Sequence, residues 1–506
     1  MRPLVVPLLL LLAWASMALG EPLPGDTRLV LHKVRFEGGT VYPLSELREH
    51  YQPLIGHTIS VNELQQFTER LTQRYQRDGY PLSYAYLPPQ DLADGRVEVV
   101  LVEGYVQGYE LLGDIGPAAR FIEQVMERLQ AERPMTRESL ERAIGLLQRL
   151  PGLTVQAELT AAQGRDEANR LRLHVQRKPF DAALALNEGS RDDPEALFTL
   201  SSNAQTRYVE QLTASFLLPL GDAHTQFQRL DYSQYLDAQG SQLLLSAARF
   251  RSESGTRIRL EDGTDSTERR RGERFSLGLG QALRVAPDEW INLSGRVYSI
   301  TEHIQYRSGA LRDNDSYVRA LSFEGDWRQA AARRQRIVSA GVYQGLDYLG
   351  ARSDADYDMD FLRFRVSGVQ SDQLFGNWQG VASGALYWSD DRLPDSERAV
   401  FGGQQFGRGY PRDQAAGDKG WGVAYELNYS IQRGGWLKRV QPYAVLDAAE
   451  AWYNGGPFED AHLSSVALGV RLGYVALEVA KPLADVALDS LNRGPRVMFS
   501  FSYQLE

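Results

Sequence analysis

Apolar residues follow two different spacings along this chain, and the change falls near residue 178. Before it, Leu64, Phe67, Leu71 and Tyr75 recur at intervals of three or four, which is typical of a helix with one apolar face. After it, apolar and polar residues alternate, as they do along a β-strand whose two faces meet different surroundings. The pattern therefore predicts helix-containing domains followed by a long all-β part.

Residues 29–104 are predicted to form a β-α-α-β-β unit. The second helix opens at Ser60, because a serine followed three residues later by Glu63 forms the capping-box pattern. Short strands are expected near 82–87 and 97–102, where apolar residues are bounded by turn-forming segments.

Residues 105–178 repeat this order of elements. Thr136 is placed to cap a helix that Pro151-Gly152 ends, and strands are expected at 155–159 and 171–175. The two units share few identical residues, but the common order of their helices and strands indicates a tandem repeat.

Residues 179–506 are predicted to form a closed antiparallel barrel in a membrane. In 421–431 the apolar or aromatic residue stands at every second position, while glycine, alanine and polar residues stand between. A soluble sandwich also alternates, but charges and glycines on the polar face fit a wet lumen better. At about 20 residues per strand and connection, the segment holds about 16 strands.

The first 20 residues are predicted to be a cleaved signal peptide. Arg2 precedes an apolar run at Leu4–Ala15, and Ala18-Leu19-Gly20 fits a cleavage site. The alternative is an uncleaved helical anchor, for which the run is short. Residues 21–28 then form a short N-terminal segment.

Composition and motifs argue against an enzyme. The chain has no cysteine, so disulfides and thiolate metal sites are excluded, and its net charge of −10 favours no nucleic-acid partner. Its seven histidines show no metal-ligand spacing, and no phosphate-binding loop or Gly-x-Ser-x-Gly motif occurs. We therefore expect no catalytic residue, no metal and no cofactor. Glu426, Arg471 and Glu478 are expected to line the lumen and tune its electrostatics.

Several segments together resemble one family of transporters. In the first unit they are Leu54–His57, Tyr75–Tyr80, Leu87–Gln90 and Gly95–Gly104, and in the second Leu146–Gly152. The barrel contributes Phe401-Gly402-Gly403, Gly407-Arg408-Gly409-Tyr410 and Gly417–Trp421. With these segments the chain resembles the two-partner secretion transporters, the TpsB group of hemolysin secretion and activation proteins (ShlB/FhaC/HecB).

The resemblance implies a loop at about 401–420 that folds back into the pore. Its tip would be Gly407, Arg408, Gly409 and Tyr410, and its partner on the barrel wall would be Asp447. The family usually has glycine where Ala449 stands. An arginine suits such a tip, because its planar fork can bind a carboxylate in two places. Family members often begin with a plug helix. Residues 21–28 are too short for a helix that spans a barrel, so we expect none.

The resemblance also implies that the two units are POTRA domains that capture an unfolded exoprotein. A short edge strand beside a helix offers unpaired backbone groups to which an extended chain can add as a further strand. We expect the second strand of each unit to be the edge to which the exoprotein adds. Its apolar residues are expected also to fill the domain core. These residues are Ser83, Tyr84, Ala85, Tyr86 and Leu87, and Val155, Gln156, Ala157, Glu158 and Leu159.

The implied function is secretion of a TpsA-type exoprotein across the outer membrane of a Gram-negative bacterium, with the POTRA domains in the periplasm. The expected partners are that exoprotein, the lipid bilayer, and the barrel-assembly machinery and periplasmic chaperones that insert the barrel. A barrel-assembly insertase of the same superfamily is the alternative. A passive porin would not need two POTRA domains, and an outer-membrane hydrolase would need a nucleophile motif.

Overall fold

The structure is a computed structural model. It describes residues 27–160, 168–189, 192–219, 225–253, 258–259, 265–266, 268–306, 313–433, 439–455, 460–484 and 494–505. The described chain divides into two compact units between Arg177 and Lys178. The expected signal peptide lies outside the described residues, and so do residues 21–26 of the segment expected to lack a plug helix. Within the described ranges, no helix is long and apolar enough to cross a membrane.

The first domain is built around a three-stranded sheet. Its elements are β1 (Arg28–Val30), β2 (Lys33–Glu37), α1 (Leu44–Tyr51), β3 (Thr58–Ser60), α2 (Val61–Arg77), β4 (Tyr84–Tyr86) and β5 (Arg96–Val102). The sheet order is β2-β5-β4, with β2 parallel and β4 antiparallel to β5. The opening strand, expected to be continuous, is split in two. The backbone of Leu31 bonds to Gly56 and His57, whereas His32 and Lys33 bond to Gly95.

The capping box of α2 is confirmed. The hydroxyl of Ser60 accepts the backbone N–H of Glu63 at 3.2 Å, and the Glu63 carboxylate accepts the N–H of Ser60 at 2.6 Å. The apolar face of α2 is buried on the sheet, as its spacing predicts. The residues on that face are Leu64, Phe67, Leu71 and Tyr75.

The second domain repeats the plan. Its elements are β6 (Tyr105–Gly113), α3 (Ala119–Ala131), α4 (Arg137–Leu147), β7 (Leu153–Thr160) and β8 (Ala168–Arg177). Thr136 caps α4 by accepting the N–H of Ser139 at 3.2 Å. The sheet order is β6-β8-β7, so β7 is an edge strand, as β4 is in the first domain.

The remainder of the chain is a closed barrel. Its long strands alternate with short pieces in the connections, in this order: β9 (Phe180–Gly189), β10 (Asp192–Asn203), β11 (Gln211–Pro219), β12 (Gln226–Tyr235), β13 (Ser241–Glu253), β14 (Ile258–Arg259), β15 (Asp265–Ser266), β16 (Glu268–Val285), β17 (Glu289–Tyr306), β18 (Asn314–Ala331), β19 (Arg334–Gly345), β20 (Arg352–Ser353), β21 (Leu362–Gln373), β22 (Trp378–Ser389), β23 (Ala399–Phe401), β24 (Ala415–Gly417), β25 (Lys419–Tyr429), β26 (Ile431–Gln432), β27 (Arg439–Trp452), β28 (Ala461–Leu472), β29 (Val475–Pro482) and β30 (Arg496–Leu505). Apart from the short pieces, the described part of the chain contributes sixteen antiparallel strands, and β30 pairs with β9 to close the ring. The predicted barrel of about 16 strands is confirmed.

The outer face of the barrel is apolar. On β25 the predicted alternation holds, with Val423 and Tyr425 each 49% exposed while Ala424 between them is buried. Neighbouring strands present the same apolar face, because residues directly opposite each other lie on one side of a sheet. Tyr425 of β25 lies opposite Leu446 of β27, and Ala444 of β27 lies opposite Leu468 of β28. Such a band of exposed apolar side chains suits lipid rather than water.

Candidate functional site in the barrel lumen

The connection between β22 and β25 lies inside the barrel. Strands β23 and β24 pair within it, with Phe401 opposite Ala415, and we call residues 399–417 the lumen hairpin. Although they lie in a connection, Phe401, Phe406 and Tyr410 are buried, and they pack in one cluster with wall residues that include Val445 and Leu463. The expected inward-folded loop at about 401–420 corresponds to this hairpin.

Two glycines of β25 make room for the hairpin. A Cβ atom on Gly422 would lie 2.7 Å from Cγ of Phe406, and one on Gly420 would lie 2.6 Å from Cε2 of Phe401. The two phenylalanine rings are 6.1 Å apart in an edge-on arrangement. The wall is therefore shaped to receive these aromatic side chains.

The glycines at the tip are required for two different reasons. Gly407 has a φ of +84°, in the left-handed region where glycine carries no steric penalty. Gly409 does not have a positive φ, but a Cβ atom there would lie 2.5 Å from the backbone nitrogen of Pro482. One glycine thus allows the turn, and the other allows the backbone to approach the end of β29.

The guanidinium of Arg408 bridges two carboxylates of the wall. Its Nη1 lies 2.5 Å from Oε2 of Glu478, and its Nη2 lies 3.5 Å from Oε2 of Glu426. Arg471 binds Glu426 through two hydrogen bonds of 2.7 and 2.9 Å, and the hydroxyl of Tyr443 donates to Glu478 at 2.8 Å. The three residues expected to line the lumen therefore form one network with Arg408.

Asp447 contacts the tip through its backbone. One carboxylate oxygen accepts the N–H of Gly407 at 2.6 Å, and the other accepts the hydroxyl of Ser465 at 2.7 Å. We expected this carboxylate to pair with the guanidinium of Arg408. The described ion pairs of that guanidinium go instead to Glu426 and Glu478, while the two oxygens of Asp447 are engaged by the N–H and the hydroxyl.

Tyr410 and Arg496 complete the attachment of the tip. The hydroxyl of Tyr410 donates to the carbonyl of Ala484 at 2.6 Å, beyond the end of β29. Arg496, only 1% exposed, donates from Nη1 to the carbonyl of Tyr410 at 2.6 Å and to that of Arg408 at 3.3 Å. No sequence pattern singled out Arg496, because it directly precedes the alternating run of β30 and looks like a strand end.

The residues that directly flank the lumen hairpin, 393–398 and 418, form its stem and have charged anchors of their own. Asp418 is 1% exposed and accepts the backbone N–H groups of Leu393 at 2.9 Å and Asn454 at 2.8 Å. Arg363 of β21 pairs with Glu397 at 2.9 Å, and both side chains are buried. The charged attachment of the hairpin to the wall thus extends from stem to tip.

The expected capture strands lie at the edges of the two small sheets. Regular strand structure covers Tyr84–Tyr86, so Ser83 and Leu87 flank β4 rather than belong to it. The hydroxyl of Thr72, on α2, accepts the N–H of Ala85 at 2.9 Å and approaches its carbonyl at 3.4 Å. The outer backbone groups of Ala85 therefore already have a partner.

The edge strand of the second domain exposes a polar face. On β7, Gln156 and Glu158 are exposed, Val155 is buried, and Ala157 and Leu159 are half-buried. The buried side of β7 belongs to the domain core, as expected for its apolar residues.

Comparison with known proteins gives two family matches. Residues 29–104 match the ShlB-type POTRA domain, and residues 313–472 match the haemolysin secretion/activation protein ShlB/FhaC/HecB. The heme/hemopexin transporter protein HuxB of Haemophilus influenzae (strain 86-028NP) is 22% identical over 40% of this chain and 36% of its own length. The chain thus spans little more than a third of that relative.

Longer matches extend over most of the chain. The outer membrane transporter CdiB of Escherichia coli is 21% identical over 86% of this chain and 74% of its own length. The solved structure of CdiB from Escherichia coli has a TM-score of 0.74, at 19% identity, over 96% of this chain and 93% of that one. The structural likeness supports the fold, and the two family matches cover the first domain and much of the barrel. In its first domain and in the barrel segment 313–472, the chain is therefore similar to the haemolysin secretion/activation proteins ShlB/FhaC/HecB.

Proposed function

We propose that this protein captures an unfolded exoprotein in the periplasm and secretes it through the barrel lumen. The observation that carries the proposal is the lumen hairpin, whose aromatic residues pack on the wall and whose tip is also held there by charged groups. The charged side chains at the tip are Arg408, Arg471 and Arg496 and the carboxylates Glu426, Asp447 and Glu478. Ion pairs exchanged for contacts with water change the free energy little overall, so such a segment can leave the pore when cargo enters.

Capture is assigned to the outer edge of β4. A cargo strand that adds beside Ala85 displaces the hydroxyl of Thr72. The backbone N–H and C=O groups of the cargo then pair with those of Ala85, as between neighbouring strands of a sheet. The rings of Tyr84 and Tyr86 lie 6.0 Å apart on this strand and offer aromatic surface to the side chains of the incoming chain. The edge of β7 in the second domain is proposed as a further docking strand.

Translocation in this proposal needs no catalytic residue, metal or cofactor. Relatives are named as transporters, and folding of the exoprotein outside the cell would prevent its return. The bilayer, the barrel-assembly machinery and periplasmic chaperones are proposed as the partners that insert the barrel itself.

A reversible tether can test whether the hairpin must move. A Cβ atom at Gly422 lies 2.7 Å from Cγ of Phe406, so the Cβ atoms of both positions are at most about 4.2 Å apart, which a disulfide can span. The chain has no cysteine of its own, so Phe406→Cys/Gly422→Cys introduces the only pair. Oxidation should stop export of the exoprotein, and a reductant should restore it.

A second pair provides the matched control. Ser201 and Thr213 lie opposite each other on β10 and β11, with hydroxyl oxygens 3.0 Å apart, so Ser201→Cys/Thr213→Cys links two wall strands without touching the hairpin. This pair should export normally after oxidation. Undiminished export by the oxidised Phe406→Cys/Gly422→Cys pair would show that cargo does not use the lumen. Deletion of residues 29–103 should separately stop cargo recognition while the barrel still inserts.

A further inference from the structure

A cleft of about 760 Å³ lies beside α2, and all the ionisable side chains that line it are basic. The lining comes from the end of α1, from α2 and from the start of α4, so the first and second domains, which belong to one compact unit, build it together. We call it the basic cleft. Its ionisable residues are His50, Arg70, Arg74, Arg77 and Arg137.

Helical spacing places three of these arginines on one side of α2. Arg70, Arg74 and Arg77 follow one another at intervals of four and three residues, so they share a face of the helix. Thr72, whose hydroxyl bonds to the edge strand β4, lies on the other side, since residues two apart in a helix point about 200° apart. The basic cleft and the proposed capture edge therefore flank the same helix.

Within the described part of the chain, three of the four arginines have no carboxylate partner. The carboxylates bound to a lining residue are Glu46 and Asp78, and both go to Arg74, at 2.5 and 3.5 Å. Arg77 donates from Nε to the carbonyl of Gln73, one turn earlier, at 3.3 Å. The guanidinium groups of the other arginines are thus available to an anion in the cleft.

Other carboxylates close to the lining in sequence do not line the cleft. They either adjoin a lining residue in the chain or stand one helical turn from it, and they are Glu49, Glu69, Glu138 and Glu141. Four arginines therefore face two bound carboxylates, and the basic cleft keeps an excess of positive charge.

The arginine from the second domain is held in place by the first. Its backbone N–H donates to the carbonyl of Gly79 at 2.7 Å, and Nη2 of Arg137 donates to the carbonyl of Gln76 at 3.0 Å. Arg137 is also the first residue of α4, at the end where a helix dipole is positive. Pockets where two domains meet are common ligand sites.

We propose that the basic cleft binds an acidic segment of the exoprotein, an inference that rests on the capture function proposed above. Arginine binds a carboxylate through two parallel hydrogen bonds. In an extended chain, acidic residues at every second position point to one side, about 6.6 Å apart, so several can meet arginines of one cleft.

The cleft supplies a selectivity that the edge of β4 lacks. Strand addition at Ala85 uses backbone groups, which every unfolded chain carries, whereas the cleft selects chains with carboxylates. A helix with its side chains is about 10 to 12 Å across, a distance that about four extended residues span. One exoprotein chain can therefore add to β4 and place its acidic residues in the basic cleft.

The test titrates full-length protein in non-ionic detergent against a labelled ten-residue peptide in which aspartate alternates with serine, read by fluorescence anisotropy. The cleft variant is Arg70→Gln/Arg77→Gln/Arg137→Gln. It should bind the peptide about tenfold more weakly than wild type, since each exposed ion pair contributes about two- to threefold. The matched control removes the same charge from exposed positions of the same two domains outside the cleft, as Arg35→Gln/Arg120→Gln/Arg128→Gln, and should bind as wild type does.

Two further ligands identify the group that is recognised. A peptide with asparagine in place of aspartate should bind wild type as weakly as the cleft variant binds the acidic peptide. Millimolar inorganic phosphate, at constant ionic strength, should leave the acidic peptide bound. Equal binding of the acidic peptide by cleft variant and wild type, equal binding of both peptides by wild type, or displacement by phosphate would each overturn the inference.

Folding of the variants is followed by hydrogen exchange in α2. If the triple variant does not fold, Arg70→Gln alone is compared with Arg120→Gln, because the side chain of Arg70 has neither an ion pair nor a hydrogen bond in the described part of the chain. Arg70→Gln should weaken binding about two- to threefold. The proposed capture function fails by a different result, export that survives deletion of residues 29–103, so the two failures are distinguishable.

Discussion

Nη1 of Arg408 and the hydroxyl of Tyr443 meet at one oxygen of Glu478, at 2.5 and 2.8 Å. Through its other nitrogen Arg408 reaches Glu426, which Arg471 already holds by two hydrogen bonds. The tip of the hairpin thus joins β25 to β29 through one guanidinium. The side chains of Arg408, Glu426 and Glu478 are all largely buried. The charge of each is therefore compensated by its ion-pair partners rather than by water.

Replacing Arg408 should therefore release the tip. In Arg408→Ala, the buried carboxylate of Glu478 loses its cation and Glu426 retains only Arg471, which costs the closed state about 3 to 5 kcal/mol. In Arg408→Lys, a single ammonium cannot bridge both carboxylates, so we expect an intermediate effect. Because the hairpin can then no longer return to the closed state from which cargo displaces it, secretion assays should show export abolished or strongly reduced in Arg408→Ala. Heat-modifiable migration should show that the barrel still inserts.

The control for this prediction is another arginine of the same hairpin. Arg412 pairs with Glu195 but is 41% exposed, so Arg412→Ala should leave export close to wild type. Normal export by Arg408→Ala would mean that the tip contact is not needed for secretion.

Much of this arrangement could be predicted from sequence because it depends on local pattern. Alternation over 421–431 specified both faces of β25. The choice of partners could not be predicted in the same way. Whether Asp447 or Glu478 receives the guanidinium depends on how β27 and β29 lie beside the tip, and no spacing in the chain encodes that distance.

The glycines of β25 should control how well the hairpin fits. Gly422→Ala places a Cβ atom 2.7 Å from the ring of Phe406, and overpacking of this kind typically costs about 1 to 3 kcal/mol. We expect the hairpin to shift and the ion conductance of the barrel in planar bilayers to rise. Gly384 is the control, since the nearest atom to its added Cβ would be 3.6 Å away. Equal conductance in both alanine variants would show that the ring of Phe406 adjusts without moving the hairpin.

Thr72 should limit the affinity of the first POTRA domain for cargo. In Thr72→Val the outer backbone groups of Ala85 lose their hydroxyl partner, so a cargo strand gains hydrogen bonds without displacing any. We expect binding of an extended exoprotein segment to full-length protein to tighten by about three- to tenfold, measured by fluorescence anisotropy.

Thr68→Val serves as the matched change on the same helix. The hydroxyl of Thr68 donates to the carbonyl of Gln65 within α2, so its loss exposes no strand edge and should leave affinity unchanged. If Thr72→Val binds more weakly than wild type, the edge of β4 at Ala85 is not where cargo adds. The sequence shows Thr72 only as a polar residue on a helix; its bond to Ala85 depends on how α2 packs on β4.

Glu103 should make the first domain sensitive to acid. Its carboxylate accepts the backbone N–H groups of Thr40 at 2.6 Å and Val41 at 2.8 Å. Burial raises the pKa of Glu103, but the hydrogen bonds from the hydroxyl and N–H of Thr40 and from the N–H of Val41 outweigh it and hold the pKa below its usual value. The stabilisation is therefore fully present above the unfolded pKa of about 4.3 and is lost as the pH falls through the lower folded value.

Hydrogen exchange of the full-length protein, normalised for the intrinsic rate at each pH, measures this effect at residues 40–41. Protection should be pH-independent from about pH 7 to 5 and should fall progressively below about pH 4. Glu103→Gln keeps one acceptor oxygen but cannot titrate, so its protection should be lower at neutral pH and should not change with acid. Glu127→Gln, on the exposed side of α3, should follow wild type. A wild-type profile that stayed flat into strong acid would show that the carboxylate does not hold the segment between β2 and α1, and the hydrogen bonds of Thr40 and Val41 would then contribute nothing to the position of α1.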